Sequence, residues 1–230
     1  MSIEYRIENS IAELTFDDGK VNAMDIPWWK LGIALLDQAK DDNARALIIR
    51  GRENIFSAGL NLKLFSTLDA AGLDELMDVF NQFINRIRCF PCPTIAEVTG
   101  STIAGACMVM CACDYVVALE GDYKIQLNEH ITGLPLPTWA YEVCASKFPP
   151  PHIDSFALLA KPYTPAQAFS VGAIQELAKS PAELSALSYN TAVAYSQLSV
   201  EAYAETKKRV YKPVMISPED RVSQEYELRT

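Results

Sequence analysis

Apolar and polar residues alternate over residues 3–7 (IEYRI) and again over 11–16 (IAELTF), with ENS between them, which is the spacing of two paired strands. The polar stretch DDGKVNAMD reads as turn and loop. From Ile26 to Ala39 the period lengthens: Trp29, Ile33 and Leu36 recur at helical spacing, and Pro27 is tolerated in a first turn. Ala46–Arg50 (ALIIR) is a short buried strand. GRENIFSAGLNLKLF follows as a loop that closes into a helical turn. Residues 69–88 place Leu73, Leu76, Met77, Phe80, Phe83, Ile84 and Ile87 on one wide apolar stripe, which predicts an amphipathic helix stopped by Pro91 and Pro93.

Thr94–Val98 is the next strand, residues 105–113 a helix of small and apolar residues, and Tyr115–Ala118 another strand. Helix potential returns from Trp139 to Phe148, then in two short helices over 153–160 and 165–171. A short strand over Ala173–Leu177 precedes a helix over 181–212 that ends at Lys212-Pro213. The polar tail ISPEDRVSQEYELRT is a short final helix or a frayed end. Strands alternating with helices predict an α/β fold with largely parallel strands.

Composition narrows the classes. With 230 residues, half of them hydrophobic, the chain can build one large core. Its net charge of -9 and the lack of a dense Lys/Arg stripe argue against nucleic acid as a partner. The longest apolar stretch, Val98 to Cys113, is about sixteen residues and falls short of a membrane span of roughly twenty, so no membrane partner is expected. The opening MSIEYRIENS carries charge where a leader would need an apolar core, and a cytoplasmic location is expected. Cys89 and Cys92 have C-x-x-C spacing, but no second ligand pair follows, so no metal site is expected. Buried thiols in a reducing compartment account better for the six cysteines.

Two glycine-containing turns, each after a short apolar strand, are the candidate chemistry: Phe56-Ser57-Ala58-Gly59-Leu60 and Gly100 to Ala106. If neighbouring parallel strands carry them, their backbone N–H groups can converge on one oxygen outside the strand ends. Such turns also serve plain helix packing, so spacing leaves both readings open. The residues themselves say more. FSAGLNLK, with G-x-x-x-A-G-A ending in CD at Asp114, resembles the crotonase (enoyl-CoA hydratase/isomerase) superfamily pattern F-[SA]-A-G-x-D-[LI] followed by N-G-x-x-x-G-G-G and a later C-D. NAMD, LNEHITGLP and TPAQAFSVGAIQEL extend the likeness to about Lys212.

That resemblance implies a spiral of repeated ββα units over residues 1–180, a C-terminal helical region over 181–230 in the same structural unit, and assembly as a homotrimer or a dimer of trimers. It implies an acyl-CoA thioester ligand of fatty acid metabolism, with coenzyme A part of the substrate and no separate cofactor. The oxyanion-hole N–H groups fall, by alignment, on Ala58 and Gly105. The substrate-binding stretch falls on Ser57, Ala58, Gly59, Leu60, Asn61 and Leu62, with Gly105, Met108 and Trp139. The first glutamate of the hydratases falls on Met108, which cannot move a proton, and the second on Glu129, so the chain looks most like the Δ3,Δ2-enoyl-CoA isomerase branch. Moving a double bond requires one base that takes a proton from C2 and returns it at C4. Specialised enolate chemistry, such as decarboxylation or carbon–carbon bond formation, is the alternative; a hydratase ranks lower and a non-catalytic relative last.

Departures from the pattern are Asn61 for the usual aspartate, Ala104 and Ala106 for two of three glycines, and a short tail beyond Pro213. His130, beside the proposed base, is expected to point away from it, and His152 is read as a surface residue. Trp28, Trp29 and Trp139 are packing residues, with Trp139 also a candidate for the acyl pocket. Lys207–Arg209 is a solvated helix face or, by resemblance, a contact for coenzyme A phosphates.

Overall fold

A computed structural model describes residues 3–65 and 67–221. The chain opens with β1 (Ile3–Glu8), β2 (Ile11–Phe16), β3 (Ala23–Met24) and α1 (Ile26–Asp41), and continues with β4 (Ala46–Arg50), β5 (Asn54–Ser57), β6 (Gly59–Leu60), α2 (Leu62–Phe65) and α3 (Ala70–Arg88). Then come β7 (Thr94–Val98), β8 (Gly100–Ile103), α4 (Gly105–Ala112), β9 (Tyr115–Leu119), β10 (Ile125–Gln126) and α5 (Thr138–Ala145). The last elements are α6 (His152–Ala157), α7 (Pro165–Ser170), β11 (Glu176–Ala178), α8 (Pro181–Tyr195), α9 (Val200–Val210) and a 3-10 turn over Pro218–Asp220.

One six-stranded sheet has the order β1-β2-β4-β7-β9-β11, antiparallel only at β1–β2 and parallel elsewhere. Two smaller parallel sheets, β10-β8-β5 and β3-β6, collect the second strand of each unit. The repeat is therefore strand, strand, helix, with the first strand in the large sheet and the second in a smaller one. This is the ββα spiral, and the class is α/β.

The central strands read as continuous apolar runs because both faces are covered. Leu47, Ile49, Ala96, Val98, Val116 and Ala118 face the main core, which includes α1, α3 and α4. Ile48, Ile95, Val117 and Leu119 face a second cluster under Leu184 and Ala192 of α8. The long helix expected over 181–212 is two: the residues between Tyr195 and Val200 break it, Ser196 caps α8 and the Ser199 side chain caps α9 by accepting from Ala202 N. The break lets α8 lie on the sheet while α9 turns back toward α3.

The small strands β3, β5, β6, β8 and β10 fall in stretches that read as loop or turn, because two to four residues carry too little periodicity. Gly100 explains one of them. A Cβ there would lie 2.1 Å from the Asn54 carbonyl carbon, so only glycine lets β8 run against β5. The strand expected at Ala173–Leu177 is shorter, beginning three residues later and ending one later, over Glu176–Ala178. Of the tail, residues 222–230 lie outside the described residues.

Candidate active site

α3 begins at an Asp69 cap whose Oδ1 accepts from Gly72 N at 2.8 Å, and its stripe buries the leucines, phenylalanines and isoleucines expected. Phe80 stacks on Trp29 at 4.4 Å and meets Trp139 edge-on at 5.1 Å. This aromatic block joins α1, α3 and α5 and makes a rigid back wall. Trp139 is 1% exposed and sits behind Phe80; it does not line the cavity, so its place in the acyl pocket is corrected to a supporting one.

The two glycine turns meet. Gly59 has φ of +80°, and a Cβ on it would lie 2.6 Å from Ile103 O and 3.0 Å from Gly105 N, so β6 rests directly on the start of α4. Gly105 is the first residue of α4, where an N–H has no intrahelical acceptor. A Cβ there would press on Phe80 at 2.9 Å. Ala104, just before it, has φ of +51° and ψ of -126°, a conformation suited to glycine. Ala104→Gly is expected to raise stability by about 0.5–1 kcal/mol, because relief of side-chain strain exceeds the added entropy of the unfolded chain. A higher urea midpoint at unchanged slope would register it; a lower midpoint would contradict the strain.

Ala58 is not the donor that alignment made it. Its N–H donates to Val21 O at 2.9 Å and is not turned to the cavity. Asn61 N–H likewise donates to Met24 O at 2.8 Å, toward β3. Successive N–H groups on a strand point to opposite sides, so the N–H of Leu60, between Gly59 and Asn61, points away from β3. Ser57 is also corrected: fully buried, it donates to Asn22 O at 2.6 Å and accepts from Gly59 N at 2.9 Å, shaping the turn without reaching the cavity. The Asn61 carboxamide accepts from Lys63 N at 3.3 Å.

A cavity of roughly 270 Å³ is lined by Leu60, Met77, Phe80, Met108 and Glu129 with the Leu134–Thr138 segment. A smaller one of about 40 Å³ lies beside it, against Ala58, Leu62, Ala104 and Asn128. Leu60, Glu129 and Leu134 border both. Glu129 sits at the start of a tight turn, where its carbonyl accepts from Leu134 N and Thr132 Oγ1, each at 2.9 Å. Its side chain is buried, and Oε2 has no hydrogen-bond partner among the described residues. Burial pushes the carboxyl up from the ordinary 4.5 to about 7, against smaller opposing effects of its own backbone N–H and of His130. His130 turns away, with Nδ1 3.1 Å from Leu158 O. His152 is half-buried at the start of α6.

Met77 and Phe80 were legible only as core stripe, and nothing in the sequence set them apart as cavity wall. Lys207 is corrected too. It is buried, with Nζ 2.6 Å from Asp114 Oδ2, and cannot reach a solvent-borne phosphate. Arg209 pairs with Glu205 at 3.1 Å. The cysteines are all free thiols, and burial pushes Cys92 up to about 12.

The fold and the paired turns around a buried carboxylate define the class, and the comparisons agree. The Enoyl-CoA hydratase/isomerase family model matches residues 6–227, and the chain belongs to that family, the crotonase superfamily. It is similar to mitochondrial enoyl-CoA delta isomerase 1 of Rattus norvegicus, 26% identical over 178 residues, which are 76% of this chain and 62% of that protein's length. It is similar to the enoyl-CoA hydratase structure from Mycobacterium ulcerans, at 28% identity, 91% coverage of each chain and a TM-score of 0.85. Human mitochondrial delta3-delta2-enoyl-CoA isomerase shares the fold, with a TM-score of 0.86 at 20% identity over 100% of this chain and 88% of that one. Among the described residues no helix is long and apolar enough to cross a membrane.

Proposed function

We propose that the chain is an acyl-CoA double-bond isomerase that converts a 3-enoyl thioester to the 2-enoyl isomer through an enolate. The observation that carries this reading is the Glu129 carboxylate, buried with its Oε2 unpartnered on the wall of a largely apolar cavity, with Met108 on that wall where a hydratase would place its other glutamate. The thioester would sit at the junction of the two cavities, with the acyl chain in the larger one. Glu129 takes a proton from C2, the electron pair moves onto the thioester oxygen as the enolate, and the same carboxyl returns the proton at C4. The enolate oxygen is held by the N–H groups of Leu60 and Gly105; one such donor is worth on the order of 10²–10³ in rate.

Hydration makes a different demand, because water must be oriented while protons reach two atoms. Met108 supplies neither a base nor an acid. Side-by-side assays of 3-enoyl-CoA isomerisation and 2-enoyl-CoA hydration test the reading. Isomerisation should exceed hydration by at least about 10²-fold, the share one general acid–base group contributes. Hydration as fast as isomerisation would overturn it, and so would turnover of a malonyl-type thioester without isomerisation.

A further inference from the structure

After α9 the chain runs back along α3 to the wall of the larger cavity, and three clasps hold it there. Val214 is tied to α3: its N–H donates to Asn85 Oδ1 at 2.8 Å, and its carbonyl accepts from the Asn81 and Asn85 amides at 3.2 and 2.9 Å. Asp220 Oδ1 accepts from Thr138 N, at the start of α5, at 2.7 Å. Arg221 Nη1 lies 2.8 Å from Asp78 Oδ1 on α3. Ser217 and Asp220 close the intervening turn on themselves.

Glu219, Asp220 and Arg221 thereby become one wall of the cavity. With Glu129 they are the only charged residues among the described residues that line it. The remaining wall is apolar apart from Thr138. An alkyl chain gains burial with each methylene laid along Met77, Phe80 and Leu136. At the strap the gain stops, because going further means breaking charge-assisted hydrogen bonds and desolvating the groups that made them.

We propose that the strap over Ser217–Arg221, clasped by Asp220 to Thr138 and by Arg221 to Asp78, is a chain-length stop that sets the longest acyl group the cavity takes. The inference rests on the acyl-CoA reading above, and its test is a binding measurement that needs no turnover. Saturated acyl-CoA thioesters of increasing length, which cannot isomerise, are titrated calorimetrically into the full chain. Affinity should rise by about fourfold per methylene until a break, and level off or fall beyond it.

In Arg221→Gln and in Asp78→Asn, which open the same clasp from opposite sides, the break should move to longer chains. The longest thioester should then bind at least about tenfold more tightly than it binds the unmodified protein, as two buried methylenes would provide. A series with no break, or a break at the same length in both variants when each melts cooperatively, would overturn the stop. If no acyl-CoA of any length binds, the acyl-CoA reading falls and the stop with it. If the break moves as expected and 3-enoyl-CoA is not isomerised, the stop stands and the isomerase reading falls alone.

Discussion

Glu129→Gln is expected to lower the rate of 3-enoyl-CoA isomerisation by about 10³–10⁴-fold and, at the same time, to make the protein more stable above neutral pH. The rate loss follows from the isomerase reading proposed above, in which one carboxylate serves both proton transfers; the isosteric amide can neither take nor return a proton. The stability gain follows from burial. The carboxyl is pushed up from 4.5 to about 7 in the folded protein. A group raised in this way favours folding while it is protonated; that contribution is complete below the unfolded value near 4.5 and is lost as pH rises through about 7.

Above pH ~8 the ionised form thus costs folding up to about 3 kcal/mol, from 1.36 kcal/mol for each factor of ten in the proton equilibrium. Glutamine has no charge to desolvate. The difference in unfolding free energy between variant and unmodified protein should therefore be near zero at pH ~4, grow as pH rises from ~5 to ~7, and level off at about 3 kcal/mol by pH ~8.5, read from urea denaturation. Over the same range kcat/KM of the unmodified enzyme should climb through pH ~7 as the base ionises. A variant that isomerises normally, or one no more stable at high pH than at low, would remove Glu129 from this role.

The second large effect lies away from the cavity. Lys207→Met is expected to destabilise the fold by about 3–5 kcal/mol, because it leaves a carboxylate without its buried counter-charge. Asp114 Oδ2 accepts from Thr94 N and Oγ1 at 2.8 Å each and from Lys207 Nζ at 2.6 Å. The pair ties α9 to the start of β7 and the entry to β9. The two Thr94 bonds remain in the variant, which favours the lower end of the range. Adding Asp114→Asn should recover part of the loss, since the amide keeps the size of the group without the charge. Denaturation of the single variants and the double variant measures the coupling, and a single-variant loss below about 1 kcal/mol would mean the pair acts like an exposed one.

Much of this protein is legible in its sequence. Two-residue alternation gave the β1–β2 pair, helical periodicity gave α1 and α3, and the unbroken apolar runs ALIIR and TIAEV marked strands covered on both faces. FSAGLNLK and AGA marked the paired turns through their glycines and alanines, and LNEH marked Glu129 as the candidate base through its likeness to the crotonase pattern. Met108 was informative through what its side chain lacks. These are local properties: each is decided by the character of a residue and the spacing of its near neighbours.

What tertiary structure alone decided was which groups remain available. Ala58 lost its place as donor because its N–H meets Val21, 37 positions earlier in the chain, counting from Ala58 to Val21. Lys207 became an anchor because α9 packs it onto Asp114. The helix over 181–212 split because one segment covers the sheet and the next returns to α3. The strap over Ser217–Arg221 has no motif at all; it walls the cavity because Thr138 and Asp78, far away in the chain, hold it, and Asn85 holds Val214 just before it. A hydrogen bond or ion pair is defined by both partners, and a sequence names only one of them at a time.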